Sequence, residues 1–567
     1  MPIAADPTNP LLHDQELMDR LERIWQDDQR AKEHRKRRRR KRGLGRLWDG
    51  DMNYRGRVTA EDSGSVRWVM NNTGTATLRL PMSHYLTKWA VNPWGRTTQN
   101  LHFTFDKDGA RWGGRCAGDS AVKIIKNDRG ERYVELTFLD DYNDLKELLV
   151  WSNPFLPAIL QFPRSFVLAG PSRYMLKLSL FLNVMRLEGN WWALPDDPLD
   201  PQQWLATLNP LDMSQWNIVV NPHKFLEDSS PWTILSSRFK YWHDMAAPTL
   251  DDAQLMVTTR RYLPGDPPPW PGANLRYGTI VVDIVDKSGY WDETSTGGTI
   301  WDGLKRTVVE LADNWVDEIV NTVSEPIDPY KNIVGKWLGT FPRAPYVVYR
   351  DGEITACEAY EWGFTPGGPV QMVGGGHSAY GVNEGISAAI QTVGNIAGGF
   401  VYFPTAGTIA DEFLKPIYTD TVAAFWSIKS PVRALRYGWS HSHEKWVEGM
   451  DRAYTLSSLI KMREGFYNTR PRTAHKLTVG DGRPYYIGDN GQGHWFLGDR
   501  IGSTIRDFPV KGQVFVEQAT EVEYAWDRDS AGWSAIIGDP RVNEPMGEKT
   551  LRLIRTGMAA VHDLGLI

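Results

Sequence analysis

The chain has 567 residues, 41 % of them apolar and 23 % charged, which excludes a mainly disordered, fibrous or integral membrane protein and leaves room for about three or four domains. Trp is abundant at 25 residues, while the two cysteines, Cys116 and Cys357, exclude a disulfide framework and a CxxC metal site. The net charge of −5 hides a polarised layout: eleven of the 64 Lys and Arg lie between Arg30 and Arg46 beside one of the 69 acids, Glu33, which leaves the rest of the chain at −15.

No apolar run of leader length precedes Arg20, the first Lys or Arg, so synthesis in the cytoplasm without export is expected. Residues 9–42 read as one helix. Asn9 is a cap, Pro10 suits the first helical position, and Gly43 suits the stop. Leu17, Leu21, Ile24 and Trp25 share one face, and beyond Arg30 only charge remains. The first half can therefore dock. The second half, with Arg35, Lys36, Arg37, Arg38, Arg39, Arg40, Lys41 and Arg42, must be solvated or paired with anions.

From Leu44 the pattern changes to strands. Arg46–Val58 reads as a hairpin around Asp49-Gly50-Asp51. Val66–Met70, Thr75–Leu80 and Tyr133–Leu139 alternate apolar and polar residues, with Asn71-Asn72-Thr73-Gly74 as turn chemistry between the first two. This predicts a small antiparallel barrel or sandwich. Residues 141–330 are mixed: helices are expected at Asp144–Trp151 and Gly303–Val323, and strands at Trp216–Val220 and Gly278–Val285. Loops rich in Trp and Pro lie between them, so an α+β domain is expected.

Within 362–410 Glu384 is the single charged residue and twelve residues are Gly. Helices are expected at Ile386–Ile396 and Ile409–Ile428, turning through Gly398-Gly399 and Pro404. The stretch has the length of a membrane span, but that break argues against a simple one. A short helix, Tyr454–Glu464, then precedes a second β region with strands at His475–Val479, Pro484–Ile487, Gly493–Leu497, Val514–Ala519 and Tyr524–Trp526.

Catalytic signatures are absent: the sequence holds no GxxxxGK[ST], GxSxG, HExxH or helix-opening GxGxxG. His441-Ser442-His443-Glu444 has weak metal spacing and reads first as solvated or hydrogen-bonded histidines. Gly374-Gly375-Gly376-His377 lacks the strand–turn–helix frame of a phosphate loop and reads as a turn. No cofactor, no metal ligand and no catalytic residue is expected. The Trp excess fits core and interface bulk better than sugar platforms. The basic run can meet nucleic acid, an anionic membrane surface or an acidic partner. It has no interleaved aromatics, which disfavours single-strand stacking.

Leu47-Trp48-Asp49, Tyr54–Val58 and Asn72–Pro81 resemble the amino-terminal part of minor tail proteins from long-tailed actinobacterial phages. Gly374–Gly381, Asp411–Pro416, His494–Ile501 and Gly538-Asp539-Pro540 follow in the order of that family. The resemblance implies a baseplate hub similar to that of contractile phages: a homotrimeric ring in which each subunit contributes two small antiparallel β-barrels, an α+β domain and a smaller element. It implies a virion location at the distal tail tip, a distal tail protein ring, a tape-measure protein and other tip proteins as partners, and viral DNA passing through the lumen.

The whole is then an α+β multidomain chain: a basic helical arm (1–43), a first β-barrel (44–143), an α+β domain (144–330), a Gly-rich apolar insertion (331–445), and a second β-barrel with a C-terminal element (446–567). In the insertion, Ile386, Ile390, Val393, Ile396, Phe400, Val401, Phe403 and Ile409 are the candidate residues of a helical hairpin that closes the tube and meets the host membrane. A tail-borne polysaccharide hydrolase or carbohydrate-binding protein is the alternative reading, and a DNA-binding protein using the arm is a third.

Overall fold

The computed structural model describes residues 15–189, 212–287, 322–324, 347–375, 425–447 and 461–538, with short breaks inside these ranges, and Leu199 and Pro201 between the first two. Strand alternation makes most of it. Ser63–Val69 and Thr75–Pro81 bury every second residue, the period that the pleat imposes. These strands belong to a fifteen-stranded sheet. Its path runs Cys357–Thr365, Arg472–Gly480, Ala531–Ile537, Gln513–Trp526, Ser63–Val69, Thr75–Pro81, Arg132–Asp140, Ala110–Cys116, Leu101–Lys107, Leu44–Asp49 and Tyr54–Val58.

This path corrects the expectation of two small β-barrels. The first and last β regions form one sheet, and no sheet among the described residues closes into a barrel. The joint is the fourteen-residue strand Gln513–Trp526. It pairs with Ala531–Ile537 on one side and with Ser63–Val69 on the other, from Glu521 opposite Val69 to Trp526 opposite Gly64. Alternation marks a strand but does not name its neighbour.

One apolar core fills both regions. Phe103, Phe105, Trp112 and Phe138 pack in the same cluster as Val522, Tyr524, Trp533 and Ile537. The Phe105 ring stacks on Trp526 with centroids 4.9 Å apart, and Trp68 meets both Phe496 and Trp533 at 5.6 Å. Much of the tryptophan therefore serves as core bulk.

Residues 142–286 build an α+β unit with its own core. Ile218–Val220 lies parallel to Ile280–Asp286, which pairs antiparallel with Leu255–Arg261. The helix Ser172–Glu188 packs Leu176, Leu180 and Val184 into the core, a spacing of four that keeps one face inward. Its first free N–H groups are satisfied from a distant loop: Tyr174 N donates to Asp228 Oδ2 at 2.7 Å and Arg173 N to Ser230 Oγ at 3.0 Å. The helix expected at Asp144–Trp151 is shorter. Asn143–Lys146 is helical, then Leu149–Val150 pairs as a strand with Lys240–Tyr241.

Further expectations meet corrections or fall outside the described residues. Phe425–Lys429, the end of the second predicted hairpin helix, is a strand paired with Gln371–Gly375, which runs parallel to Glu444–Trp446. Trp426 and Ile428 pack there against Met372, Val447, Met462 and Phe466, a period of two that turns one face inward. Ile386–Ile396 and the rest of the hairpin lie outside the described residues. No described helix is long and apolar enough to cross a membrane. Thr322–Ser324 is a strand against Gln513–Phe515, where the end of a helix was expected; residues 301–321, and most of 454–464, lie outside the described residues. Pro484–Ile487 and Gly493–Leu497 meet as loops through a single parallel bridge between Ile487 and Trp495.

Candidate functional site

The N-terminal helix spans Gln15–Arg40, within the predicted 9–42. Leu21, Ile24 and Trp25 stand 52–62 % exposed, so the apolar stripe faces solvent in the single chain. In the basic half, Arg37 reaches Glu33 at 3.3 Å across one turn, both side chains exposed, an arrangement worth a few tenths of a kcal/mol. Arg35, Lys36, Arg38, Arg39 and Arg40 continue the helical backbone, Lys41 lies outside the described residues, and Arg42 is exposed. All eight candidate residues of the Gly-rich segment, from Ile386 to Ile409, lie outside the described residues.

His441 and His443 face each other edge-on at 5.2 Å. Among the described residues no group of three or more His, Cys, Asp or Glu is placed to hold a metal ion. Gly374 and Gly375 end the strand Gln371–Gly375, and His377 lies outside the described residues. Both cysteines are free thiols, and burial pushes Cys116 up to about 11.

A polar seam that the sequence reading missed welds the α+β unit to the sheet. Arg261 and Asp141 are both 2 % exposed. The guanidinium donates from Nη2 at 2.6 Å and from Nε at 3.0 Å to the carboxylate, and from Nη1 to the Gly278 carbonyl at 2.9 Å. A Cβ on Gly113 would stand 2.4 Å from Asp141 Oδ2, so glycine there admits the carboxylate. His102 Nδ1 lies 3.3 Å from Arg261 Nη2. Burial, with Arg261 and Arg115 beside it, holds this histidine down to about 3 and therefore neutral.

Other ties follow the same seam. Arg111 bonds Asp106 at 2.6 Å, the Arg261 carbonyl at 3.1 Å, and Asp266. Asn71, at φ 52°, gives its side-chain N–H to Leu255 O at 2.8 Å and accepts from Val257 N at 2.9 Å, so a turn residue docks on the neighbouring unit. From the other end of the chain, Lys287 Nζ meets Asp499 at 2.6 Å and Gln518 donates to Lys287 O at 2.9 Å. Such contacts hold two bodies at a fixed angle.

A loop at 153–163 is the clearest exposed apolar feature. Gln161 Nε2 donates to the carbonyls of Leu156, Asn153 and Pro157 at 2.9–3.1 Å, and Asn153 Nδ2 to Phe162 O at 2.8 Å. On this braced frame Ile159 is 88 % and Phe162 79 % exposed. Its run of apolar residues without charge is the signal that could have found it. The loop presents apolar area to solvent and carries no charged side chain.

The described residues thus combine a braced two-unit frame with an exposed basic helix and an exposed apolar loop. The chain belongs to the family described as siphovirus ReqiPepy6 Gp37-like protein, which matches residues 44–539. It is 35 % identical over 528 residues to the minor tail protein Gp28 of Mycobacterium phage D29, covering 85 % of this chain and 88 % of that one. To minor tail protein Gp28 of Mycobacterium phage L5 it is 34 % identical over 553 residues, covering 90 % and 92 %. Among solved structures, the tail protein from Neisseria meningitidis MC58 aligns with a TM-score of 0.38 and 8 % identity, over 88 % of this chain and 98 % of that one. The resemblance to phage minor tail proteins drawn from the motifs is borne out, and the chain is a structural phage tail protein.

Proposed function

We propose that three copies of this chain ring the tail axis as the hub of the tail tip, joining the tube and distal tail ring above to the host-facing tip below. The observation that carries the reading is the match to minor tail proteins along nearly the whole chain. The fold supports it: one sheet links residues 44 and 537, and a buried ion pair fixes the α+β unit to that sheet, which suits a part that transmits load.

The reading assigns no catalytic group. DNA passes through the lumen, and a chain carrying −15 outside residues 30–46 repels phosphate and does not hold it. The tape-measure protein and other tip proteins meet the exposed loop at 153–163. The arm, with ten cations in the thirteen positions 30–42, docks on an acidic patch of a neighbouring tail protein. The Gly-rich apolar segment, with Ile386, Ile390, Val393, Ile396, Phe400, Val401, Phe403 and Ile409, closes the tube at the axis and meets the host membrane on opening. Immunogold labelling of phage particles with antibody against residues 446–567 tests the placement. Label confined to the distal tip is expected; label along the tail, or none with a competent antibody, overturns it.

A further inference from the structure

The turn Asn71–Gly74 brings an amide and an amine together. Asn72 Oδ1 accepts from Lys146 Nζ at 2.5 Å and from Thr73 N at 2.8 Å. The two side chains come from residues 74 positions apart, each held on a fixed backbone. Asn71 pins the turn to the strand Leu255–Arg261, and Lys146 ends the short helix Asn143–Lys146, which is anchored in the core by Leu145. An amine this near a carbonyl oxygen also stands beside the carbonyl carbon. With a C=O bond of ~1.23 Å, Cγ lies no more than about 3.7 Å from Nζ, close to the ~3–3.5 Å of an attacking pair.

Asp140 packs against the same turn. Its N–H donates to Gly74 O at 3.1 Å, and a Cβ on Gly74 would stand 2.9 Å from Asp140 Oδ2, so glycine there leaves the carboxyl its room. Oδ1 is buried with no hydrogen-bond partner among the described residues, a setting that disfavours the ionised form. Burial, with Asp141 beside it, pushes this carboxyl well above the usual range against the pull of the Gly74 N–H, so it keeps its proton. Burial also lowers Lys146, against Asp140 and Asp244, which favours the free amine. The turn therefore gathers an amide polarised by the Thr73 N–H, an amine nucleophile and a protonated acid, the parts that condensation of lysine with asparagine needs.

We propose that Lys146 and Asn72 join in an intramolecular isopeptide bond. The neutral Nζ attacks Cγ of Asn72, and the Thr73 N–H stabilises the oxyanion on Oδ1. The Nζ–Cγ bond forms and the Cγ–Nδ2 bond breaks. Asp140 gives its proton to the departing Nδ2 and takes the one that Nζ sheds, so ammonia leaves and the acid is restored. Asn72 is exposed, so the ammonia escapes to solvent. The step needs no oxidant and no cofactor, occurs once per chain, and makes the protein no enzyme. It adds a covalent tie between the large sheet and the α+β unit to the ion pair of Arg261 and Asp141, and it stands apart from the hub reading.

Intact-mass spectrometry of the full-length chain tests the bond, with near-UV circular dichroism to show that each variant is folded. The wild type should weigh about 17 Da less than its sequence, the mass of one ammonia. Lys146→Ala, Asn72→Ala and Asp140→Ala should each have the full mass of their own sequences. Asn72→Asp should lose about 18 Da, water in place of ammonia. Peptide mapping of the wild type should give one branched species that joins the peptides holding residues 72 and 146. A wild type of full mass overturns the proposal. A loss that survives Lys146→Ala is an asparagine closing on its own backbone and overturns it as well. Should Asp140→Ala misfold, Asp140→Asn keeps the shape without the acid and decides the role of Asp140, while the branched peptide decides the bond.

Discussion

Replacing Asp141 with Ala removes the partner of an arginine that water cannot reach. Arg261 is 2 % exposed, and its contacts with the carboxylate are the strongest it makes. Without them the guanidinium keeps the Gly278 carbonyl at 2.9 Å, the Met52 sulfur at 3.5 Å and the neutral His102 ring. A buried charge left unpaired costs about 3–5 kcal/mol. Arg261→Met should cost a similar amount, because it strands the carboxylate. Replacing both, with Arg261→Met and Asp141→Leu, should recover most of the loss, since a packed apolar pair removes both desolvation penalties. The cycle should therefore show a coupling of at least about 2 kcal/mol. Urea unfolding followed by tryptophan fluorescence reads all four proteins. Single variants that each lose under about 1 kcal/mol would refute the view that this pair welds the α+β unit to the sheet.

Three further outcomes are expected. Asn71→Ala removes two hydrogen bonds to the strand Leu255–Arg261 and a residue suited to φ 52°, so it should cost about 1–3 kcal/mol by the same unfolding assay. His102 and His475 are held neutral by burial, at about 3 and about 4 against an ordinary 6.5. Each takes its proton only on unfolding, so their contribution is full above pH 6.5 and falls as pH drops, by about 1.4 kcal/mol per unit per histidine. Stability that stays flat from pH 6.5 to 5 contradicts this. Ile396→Asp with Phe400→Asp should leave soluble protein and assembled tails but yield particles that leak DNA or fail to infect, and loss of soluble protein would place these residues in a core.

Legibility followed the range of the interaction. The hairpin at Arg46–Val58 and the strands at Val66, Thr75 and Tyr133 follow from residues that are neighbours in sequence, and the structure has them. Leu101–Lys107 carries the same alternation, with Leu101, Phe103 and Phe105 inward, and was readable. The helix Ser172–Glu188 was not: it touches the unit's strands on several sides and buries Lys177, Ser179 and Asn183 beside its leucines, which blurs the one-sided period. Long-range choices left no local mark. Tyr524 opposite Val66 is a pairing across most of the chain, and Arg261 with Asp141 is one ion pair drawn from 64 bases and 69 acids. For the candidate surfaces, the arm was legible as charge, whereas the seam of Arg261 and Asp141 emerges only once the packing of the two units is known.

The most direct test of the account is a reconstruction of the distal tail of intact particles, without imposed symmetry, into which this chain is fitted. Three copies around the axis at the distal tip is the result predicted. Six copies, one copy, or a position away from the tip would contradict it.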